Sequence, residues 1–516
     1  MATAPGQPVL TASSAAPARP GAALPNLGHS AVPDSAVPPF DHGAPPRPAA
    51  PPCGPSAGTT ESPARRRHVL AYGLFGLPLA FAALPIYVHL PRLYGEFLAI
   101  PLAVLGLVLL LARLGDALID PLLGGFSDHW QNTRPGHGRR GLILLTLPLF
   151  ALGVWLLLNP PAGAGVGWLA ATLALTYLGF SLLTITYQAW GAELAGSTAS
   201  RSRLTAAREG FGLIGVILAA TLPTLLAPEL PRGLARLATW FVPLLLFCAL
   251  VSVFGTRGMG RQTGDGSADA AARVDASPPK ATIRAGRRGP VSAPLAATTT
   301  TAIWRDLRHT LAHLAFRRLL LVFVLSGIAA ALPATLVMFF VADVLGEPGR
   351  AGAFLAAYFA AGLCGLPLWV LWAKRRGTLT AWRDGMLLAA LSFAAAPLLG
   401  AGDGHWFLLI CVFSGLALGA DLVLPATHLA DLAATSPRRT ATYFGVWNFA
   451  TKLNLALAAG VALPLLAGLG YQPGSADPGN NVAALALCYG GLPLLGKLLA
   501  AALLQRWRAA LAVAPR

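Results

Sequence analysis

The chain has 516 residues, of which 55% are hydrophobic and 11% are charged, and its mean hydropathy is +0.61. Soluble domains carry about a quarter of their residues as charges, so this composition excludes a soluble fold. The formal net charge of +17 would favour nucleic-acid binding only if the basic residues shared one soluble face. They fall instead in short clusters between long apolar runs, which is the pattern of membrane topology, and we expect no nucleic-acid partner.

Two stretches of the chain have the composition of disordered segments. Residues 1–64 are rich in Ala, Pro, Gly and Ser and lack the apolar core and cleavage site of a signal peptide. Residues 257–303 set basic side chains among small residues and prolines. We therefore predict a disordered tail and a basic linker that separates two comparable halves, with these boundaries: tail 1–64, N-terminal half 65–256, linker 257–303, C-terminal half 304–508 and C-terminal tail 509–516.

Twelve apolar segments are long enough to cross a bilayer. A transmembrane helix needs about 20 apolar residues, because every backbone polar group must be bonded internally where there is no water. The segments of the first half are roughly 69–90, 97–119, 142–158, 166–189, 211–226 and 237–254. Those of the second half are roughly 319–341, 352–373, 385–399, 406–429, 443–469 and 482–503. The sequence thus predicts an all-α membrane protein of twelve transmembrane helices.

Basic clusters alternate along the chain with the apolar segments. They precede the first segment and follow the second, fourth, sixth, eighth, tenth and twelfth. Because cytoplasmic loops carry an excess of Lys and Arg, we predict that both termini and the linker are cytoplasmic and that the chain lies in the cell's inner (plasma) membrane. Six helices on each side of a cytoplasmic linker is the architecture of the major facilitator fold, two six-helix bundles with a substrate site near the midplane between them. We expect a monomer whose partners are the lipid bilayer and a small-molecule solute.

The second predicted helix contains three ionisable residues, Arg113, Asp116 and Asp120. Their spacings of three and four residues put them on one helical face, with the two carboxylates about 6 Å apart. An ionisable residue in a span costs at least about 2.5 kcal/mol, so each needs a partner or a function. Two close carboxylates can be neutralised by a proton, by Na⁺ or by a nearby base. The simpler alternative, in which Arg113 only pairs with Asp116, leaves Asp120 unexplained.

The eleventh predicted helix contains Lys452 near its middle, too deep for a side chain that reaches the membrane surface. In the pseudo-symmetric fold the second and eleventh helices line the seam between the halves, so Lys452 can face the two aspartates. Together with Arg113 the four charges sum to zero, which makes their burial tolerable. A cation that bound there would break one pairing and bias the halves toward a different packing. We therefore predict a coupling ion, H⁺ or Na⁺, no other metal and no cofactor.

A glycine and an acid follow this site, and two arginines come next in the loop: Gly124, Asp128, Arg139 and Arg140. The run resembles the signature loop of facilitators, whose acid and bases bond across helix ends and latch the cytoplasmic gate. An ordinary basic loop would explain the arginines but not the Gly and Asp before them. We also interpret Asp431, near the end of the tenth segment, as a helix-end partner for the basic loop.

Three segments resemble the glycoside–pentoside–hexuronide:cation symporter family of the major facilitator superfamily: RLGDALIDPLLGGFSD, ITYQAWGAELAGSTASRSRLTAAREGFG and RRTATYFGVWNFATKL. The resemblance implies that Asp116 and Asp120 bind the coupling cation, with Lys452 close by. It also implies that Ser181 helps to ligate sodium. Arg208 matches an arginine that contacts substrate in the family's sugar carriers, although a cytoplasmic topology charge is an equal alternative.

The sequence departs from the sugar carriers where they hold acids. Leu77 and Pro78 stand near the places of a charged pair in helix one, and Thr184 stands near an acid of helix four. The usual bidentate grip on sugar hydroxyls is then missing, so a sugar is not specifically supported. Candidate lining residues, whose alternative role is packing or interface anchoring, are Tyr72, Tyr187, Gln188, Trp190, Trp447 and Asn454.

These observations predict a secondary active transporter that carries a small organic solute, a sugar or sugar acid among the candidates, in symport with H⁺ or Na⁺ by alternating access. The alternatives of the same fold are an uncoupled or efflux facilitator and a lysolipid-type carrier. A membrane-embedded enzyme is a distant alternative, because the sequence has no cluster of His, Asp and Glu with nucleophile or metal spacing. We therefore expect that the chain is not an enzyme.

Overall fold

The computed structural model describes residues 63–84, 86, 90, 93–98, 100–134, 138–226, 230–257, 295–472 and 481–512. The regular structure within these ranges is helical, as expected for a chain that must satisfy its backbone polar groups within each apolar segment. Most of the predicted tail and linker, residues 1–62 and 258–294, lies outside the described residues, as do 513–516.

The described residues of the N-terminal half form seven helices, which we number in chain order. They are α1 (Pro63–Leu74), α2 (Gly76–Leu84), α3 (Leu102–Thr133), α4 (Gly138–Leu158), α5 (Val166–Leu194), α6 (Thr198–Leu226) and α7 (Leu230–Gly255), with a π-helical turn at Leu93–Phe97 between α2 and α3.

The remaining helices are α8 (Leu295–Ala312), α9 (Leu314–Phe339), α10 (Ala351–Arg376), α11 (Thr378–Ala394), α12 (Gly404–Ala433), α13 (Thr440–Gly468) and α14 (Val482–Leu511). Short turns of π or 3₁₀ helix follow α9 and α11 and precede α10 and α13. We call α9–α14 the C-terminal half.

The described residues of each predicted span are mainly helical. Eight helices of the described ranges are long and apolar enough to cross a membrane: α4, α5, α7, α9, α10, α12, α13 and α14. The other four predicted spans correspond to α1 with α2, α3, α6 and α11. Helix α11 has 17 residues, which is at the lower limit for a transmembrane helix, and α1 is separated from α2 at Phe75. The all-α membrane class is confirmed, whereas the count of twelve spans stays a prediction.

One helix begins inside the predicted linker. Helix α8 starts at Leu295, so the C-terminal part of the range 257–303 is helical. Its Ile303 lies against Gly125 of α3, and its Asp306 accepts a hydrogen bond of 2.9 Å from Arg439 at the start of α13. Helix α8 therefore touches both halves, which composition alone did not indicate.

Helices α3 and α13 make the closest approach between the halves. A Cβ atom on Gly124 of α3 would lie 2.4 Å from the carbonyl oxygen of Ala441, and one on Gly445 of α13 would lie 2.5 Å from that of Asp120. Only glycine leaves room for backbones at such separations. These two contacts define an antiparallel register of α3 and α13. The numbers of two residues that face each other, one on each helix, add up to about 565.

The same register continued along both helices brings Gly106 opposite Gly460. A Cβ atom on either of these glycines would meet nothing within 4 Å. The backbones of α3 and α13 are therefore in contact at Gly124 and Gly445, whereas Gly106 and Gly460 face open space. We call the end where the backbones touch the latch end.

Candidate functional site

Three of the four predicted charges, Asp116, Asp120 and Lys452, meet on the seam. The ammonium Nζ of Lys452, on α13, lies 2.7 Å from Oδ2 of Asp116 and 2.8 Å from Oδ2 of Asp120, both on α3. It also donates hydrogen bonds to Oδ1 of Asp120, at 2.9 Å, and to Oγ of Ser181 on α5, at 2.8 Å. One cation of the C-terminal half is thus held by three side chains of the N-terminal half.

The N-terminal half orients the two carboxylates through their spacing and through Ser181. The i, i+4 spacing places Asp116 and Asp120 one above the other on α3, and the Ser181 hydroxyl donates a 2.6 Å hydrogen bond to Oδ1 of Asp116. Asp120 and Ser181 are 0% and 2% exposed, while the Lys452 side chain is 16% exposed. The acids are therefore shielded and the lysine borders accessible space.

The charges of this group come from both halves. Lys452 contributes one positive charge, and both carboxylate oxygens of Asp120 lie within 2.9 Å of its ammonium. A carboxylate buried to this extent is tolerable only beside such a partner. Arg113 is partly buried one turn earlier on α3, and Asp116 is paired across the seam with Lys452.

A second cluster joins the halves at the latch end. Asp128 of α3 accepts hydrogen bonds from the backbone N–H groups of Ala441 and Thr442, at 2.8 and 2.6 Å, and from the Thr442 hydroxyl at 2.7 Å. These amides belong to the first turn of α13, whose N–H groups have no partner within the helix and attract negative charge. Asp128 of one half therefore caps a helix of the other.

Arg139 of α4 completes this cluster. It donates to Asp128 at 2.6 Å, to Ser127 at 2.7 Å and to Glu193 at 2.8 Å. Arg140 does not join: it donates to the carbonyl oxygen of Thr256, at 3.2 Å, within the N-terminal half. Three of the four predicted latch residues, Gly124, Asp128 and Arg139, are therefore brought together, and we call them the latch.

Asp431 is a helix-end partner as predicted, but for a basic residue of the other half. Its Oδ1 accepts hydrogen bonds from Arg201 and Thr198 at the start of α6, at 2.8 and 3.0 Å. The basic residues that follow Asp431 contact other groups, since Arg439 pairs with α8 and the carbonyl oxygen of Arg438 accepts a bond of 3.0 Å from Asn132.

The structure places three candidate solute ligands inside the N-terminal half. The Tyr72 hydroxyl donates to the carbonyl oxygen of Tyr187 at 3.1 Å, and the Tyr187 hydroxyl donates to that of Tyr72 at 2.5 Å. Trp190 packs against Tyr72 with ring centroids 5.9 Å apart, and all three residues are at most 4% exposed. These aromatics join α1 to α5 as packing residues.

The other candidates lie nearer the seam. The Asn448 amide of α13 donates to Oε1 of Gln188 at 3.2 Å, which links the two halves. Trp447 stacks on Phe323 of α9 with centroids 3.7 Å apart. Asn454 lies against Gly327 of α9 and its buried Oδ1 accepts no hydrogen bond from the described residues.

Arg208 forms a salt bridge of 2.6 Å with its neighbour Glu209, and its side chain is 11% exposed. Arg208 follows Arg203 by about one and a half turns of α6, so it lies further along the helix than the exposed first turn. This depth favours a role inside the bundle over that of a loop charge.

A buried ion pair in the C-terminal half was missed from the sequence. Lys497 of α14 lies 2.5 Å from Oδ2 of Asp421 on α12 and donates to Ser326 of α9 at 2.9 Å. The Trp382 indole of α11 donates to Oδ1 of Asp421 at 3.0 Å. The available signal was a single lysine inside the apolar run GLPLLGKLLAAALL, because such a residue needs a buried acid.

Comparison with known proteins gives the family. The family described as MFS/sugar transport protein matches residues 69–271 and 286–509. The chain belongs to this family. It is therefore a multi-pass membrane protein of the major facilitator superfamily, a superfamily of transporters and not of enzymes, as the sequence motifs predicted.

Curated relatives match over shorter stretches. An uncharacterized symporter of Synechocystis sp. is 30% identical over 175 residues, which are 31% of this chain and 31% of that protein. The uncharacterized symporter YjmB of Bacillus subtilis is 24% identical over 180 residues, 34% of this chain and 39% of that protein. The chain thus spans about a third of the length of each of these relatives.

Solved structures confirm the fold. A bacterial homologue of the iron transporter ferroportin, in an outward-facing state, aligns with a TM-score of 0.54 at 14% identity and covers 86% of this chain and 99% of that one. The fucose:proton symporter FucP of E. coli, as its N162A variant, aligns with a TM-score of 0.53 at 14% identity and covers 84% and 98%. At this identity the likeness concerns the major facilitator fold alone.

Proposed function

We propose that this protein is a symporter that moves a small organic solute together with one H⁺ or Na⁺ across the inner membrane, and that Asp116 and Asp120 bind the ion. One observation carries the proposal: Lys452 of one half lies between two carboxylates of the other. The names of the matched relatives, two symporters and a fucose:proton symporter, agree with it. A sugar or sugar acid is the solute class that the family description favours.

The charge balance supplies a reason for coupling. Lys452 faces two carboxylates at once, so a cation that binds to one of them takes over part of its role as counter-ion. When the ion binds, a carboxylate no longer needs Lys452, and the strongest contact across the seam at mid-depth is weakened. Loss of one partner from a buried pair is worth about 3–5 kcal/mol, and about 5.5 kcal/mol turns a 1:99 population into 99:1. Ion occupancy is therefore large enough to change which conformation predominates.

The latch determines which side is closed. Asp128 lies eight residues beyond Asp120 on α3, about 12 Å further along the helix axis, where α3 and α13 are in contact. We assign the latch end to the cytoplasm, because the basic loops lie there. The conformation with the latch formed is then closed to the cytoplasm, and it opens when the bonds from Asp128 to α13 break.

Protons are the ion that we favour. The oxygens that could ligate Na⁺ are those of Asp116, Asp120 and Ser181, and Lys452 contacts a carboxylate or hydroxyl oxygen of each. Ile119 adds no oxygen between the acids. A proton needs only one carboxylate oxygen and no further ligands, and the buried Asp120 can supply that oxygen.

The test uses purified protein in proteoliposomes loaded with the pH dye pyranine. A panel of sugars, sugar acids and other organic acids is added outside, in Na⁺-free or Na⁺-containing buffer, and a labelled form of each active compound is then used for counterflow. We expect a solute that acidifies the lumen on entry in wild type but not in Asp120→Asn, and Lys452→Met should also lose ion-driven accumulation. Asp384→Asn, at a partly exposed pair outside the seam, is the matched control.

The outcomes separate the alternatives. Solute entry without ion movement in wild type would show an uncoupled facilitator. Accumulation driven by Na⁺ alone would keep the coupling site and exclude the proton. Full ion-driven accumulation by Asp116→Asn/Asp120→Asn protein would refute the proposed site.

A further inference from the structure

A groove of about 490 Å³ lies on the side of the molecule between α1 and α6 of the N-terminal half and α10 of the C-terminal half. Its α10 wall is formed by Leu363, Leu366 and Val370, and its α6 wall by small residues that include Ala206 and Gly210. We call it the lateral groove. It is independent of the proposed cation site, which lies on α3, α5 and α13.

The small residues of α6 explain why this space is open. A Cβ atom on Gly210 would lie 3.4 Å from Cδ1 of Leu366, so a larger side chain there would fill the gap. Leu70 and Leu371 line the groove and are each 55% exposed. In a membrane protein such leucines face lipid, so the groove opens toward the acyl chains of the bilayer.

Positive charges from both halves converge on one end of the groove. Arg66 of α1 and Arg203 of α6 line it, and Lys374 follows the groove-lining Leu371 by about one turn of α10. Among the described residues that line the groove none is acidic. This end of the groove is therefore basic, and an anion bound there would meet arginines of α1 and α6.

We propose that the lateral groove binds one anionic phospholipid, with its phosphate at Arg66 and Arg203 and an acyl chain along Leu363, Leu366 and Val370. A soluble anion would not use the apolar walls, whereas basic side chains at the membrane surface attract the headgroups of anionic lipids. Because the binding residues come from both halves, the lipid binds the conformation with a formed latch more tightly than one in which the halves have moved apart. The lipid is then a ligand that stabilises that conformation.

The test measures bound lipid and thermal stability of the full chain in nanodiscs of phosphatidylcholine alone or with phosphatidylglycerol. Native mass spectrometry of the released wild-type protein should show one retained phosphatidylglycerol and no retained phosphatidylcholine, and phosphatidylglycerol should raise the Tm. Arg66→Gln/Arg203→Gln should lose both effects. Ala206→Phe fills the apolar wall without a change of charge and should lose them too, while Arg506→Gln, an exposed basic residue at the end of α14, should keep them.

Several results would overturn the proposal. Equal retention of the two lipids would do so, as would phosphatidylglycerol retention that survives both groove variants. A rise of Tm with inorganic phosphate in pure phosphatidylcholine discs, equal to that with phosphatidylglycerol, would show a site for soluble anions. If Arg66→Gln/Arg203→Gln lowers the Tm in phosphatidylcholine, Ala206→Phe decides the question alone. None of these lipid-binding results depends on whether the protein carries out cation-coupled transport, so the lipid site and the proposed cation site are tested separately.

Discussion

Removal of Lys497 tests whether the ion pair of the C-terminal half is held by charge balance. Its side chain is 1% exposed, and its Nζ is 2.5 Å from Oδ2 of Asp421. The side chains of Ser326 and Trp382 complete the hydrogen bonds of this pair. Lys497→Met keeps the length of the side chain but leaves the Asp421 carboxylate in an apolar bundle without its counter-ion.

The magnitude follows from the asymmetry of buried ion pairs. Removal of one partner costs about 3–5 kcal/mol, whereas replacement of both partners by neutral groups of similar volume is often neutral or stabilising. We therefore expect Lys497→Met to lower the free energy of unfolding by about 3–5 kcal/mol. The double variant Lys497→Met/Asp421→Asn should regain most of that loss, because Asn still accepts the Trp382 bond and carries no charge.

The assay is a double-mutant cycle on detergent-solubilised protein, with unfolding followed by circular dichroism across a denaturant series. The matched control is the pair of Arg383 and Asp384, whose side chains are 30% and 25% exposed. Because exposed pairs contribute about 0–1 kcal/mol, both of its single variants should be nearly neutral. The reasoning would be refuted if Lys497→Met were as stable as wild type. It would also be refuted if the double variant lost more free energy of unfolding than its two single variants lose together.

The seam contacts give further predictions, each read from amide exchange of residues 441–442 by mass spectrometry. Asp128→Asn weakens charge-assisted bonds worth about 1.5–3 kcal/mol each, so exchange there should rise by about tenfold or more; unchanged exchange would contradict the capping role. Gly445→Leu should raise exchange as well, because a Cβ atom there would lie 2.5 Å from a carbonyl oxygen of α3. Gly115→Leu is the control and should leave exchange unchanged, because a Cβ atom there meets nothing within 4 Å. Arg201→Gln removes the 2.8 Å bond to Asp431 of the C-terminal half. Because Arg201 lies outside the latch, exchange at 441–442 should rise by a smaller factor than in Asp128→Asn, and an equal rise would contradict this prediction.

The sequence alone determined the class of fold and the composition of the seam site. Apolar segments of about 20 residues can satisfy their backbone groups only as helices, so the helices were predictable from composition. A charge in hydrocarbon must meet its opposite, so the few ionisable residues of the second and eleventh segments predicted one another. For these reasons Lys452, Asp116 and Asp120 could be grouped from the sequence, and the family resemblance added Ser181 to them.

Only the tertiary structure decided which of several eligible partners meet. Asp431 could pair with arginines on either side of the seam, and the packing of α6 against α12 selects Arg201. Aromatic residues are as suited to packing as to binding, and the crossing of α1 with α5 turns Tyr72 and Tyr187 toward each other. Lys497 needed an acid, but its partner lies 76 residues away in the chain. Partners of this kind are set by helix crossing angles and registers, which depend on many side-chain contacts at once and have no local signature in the sequence.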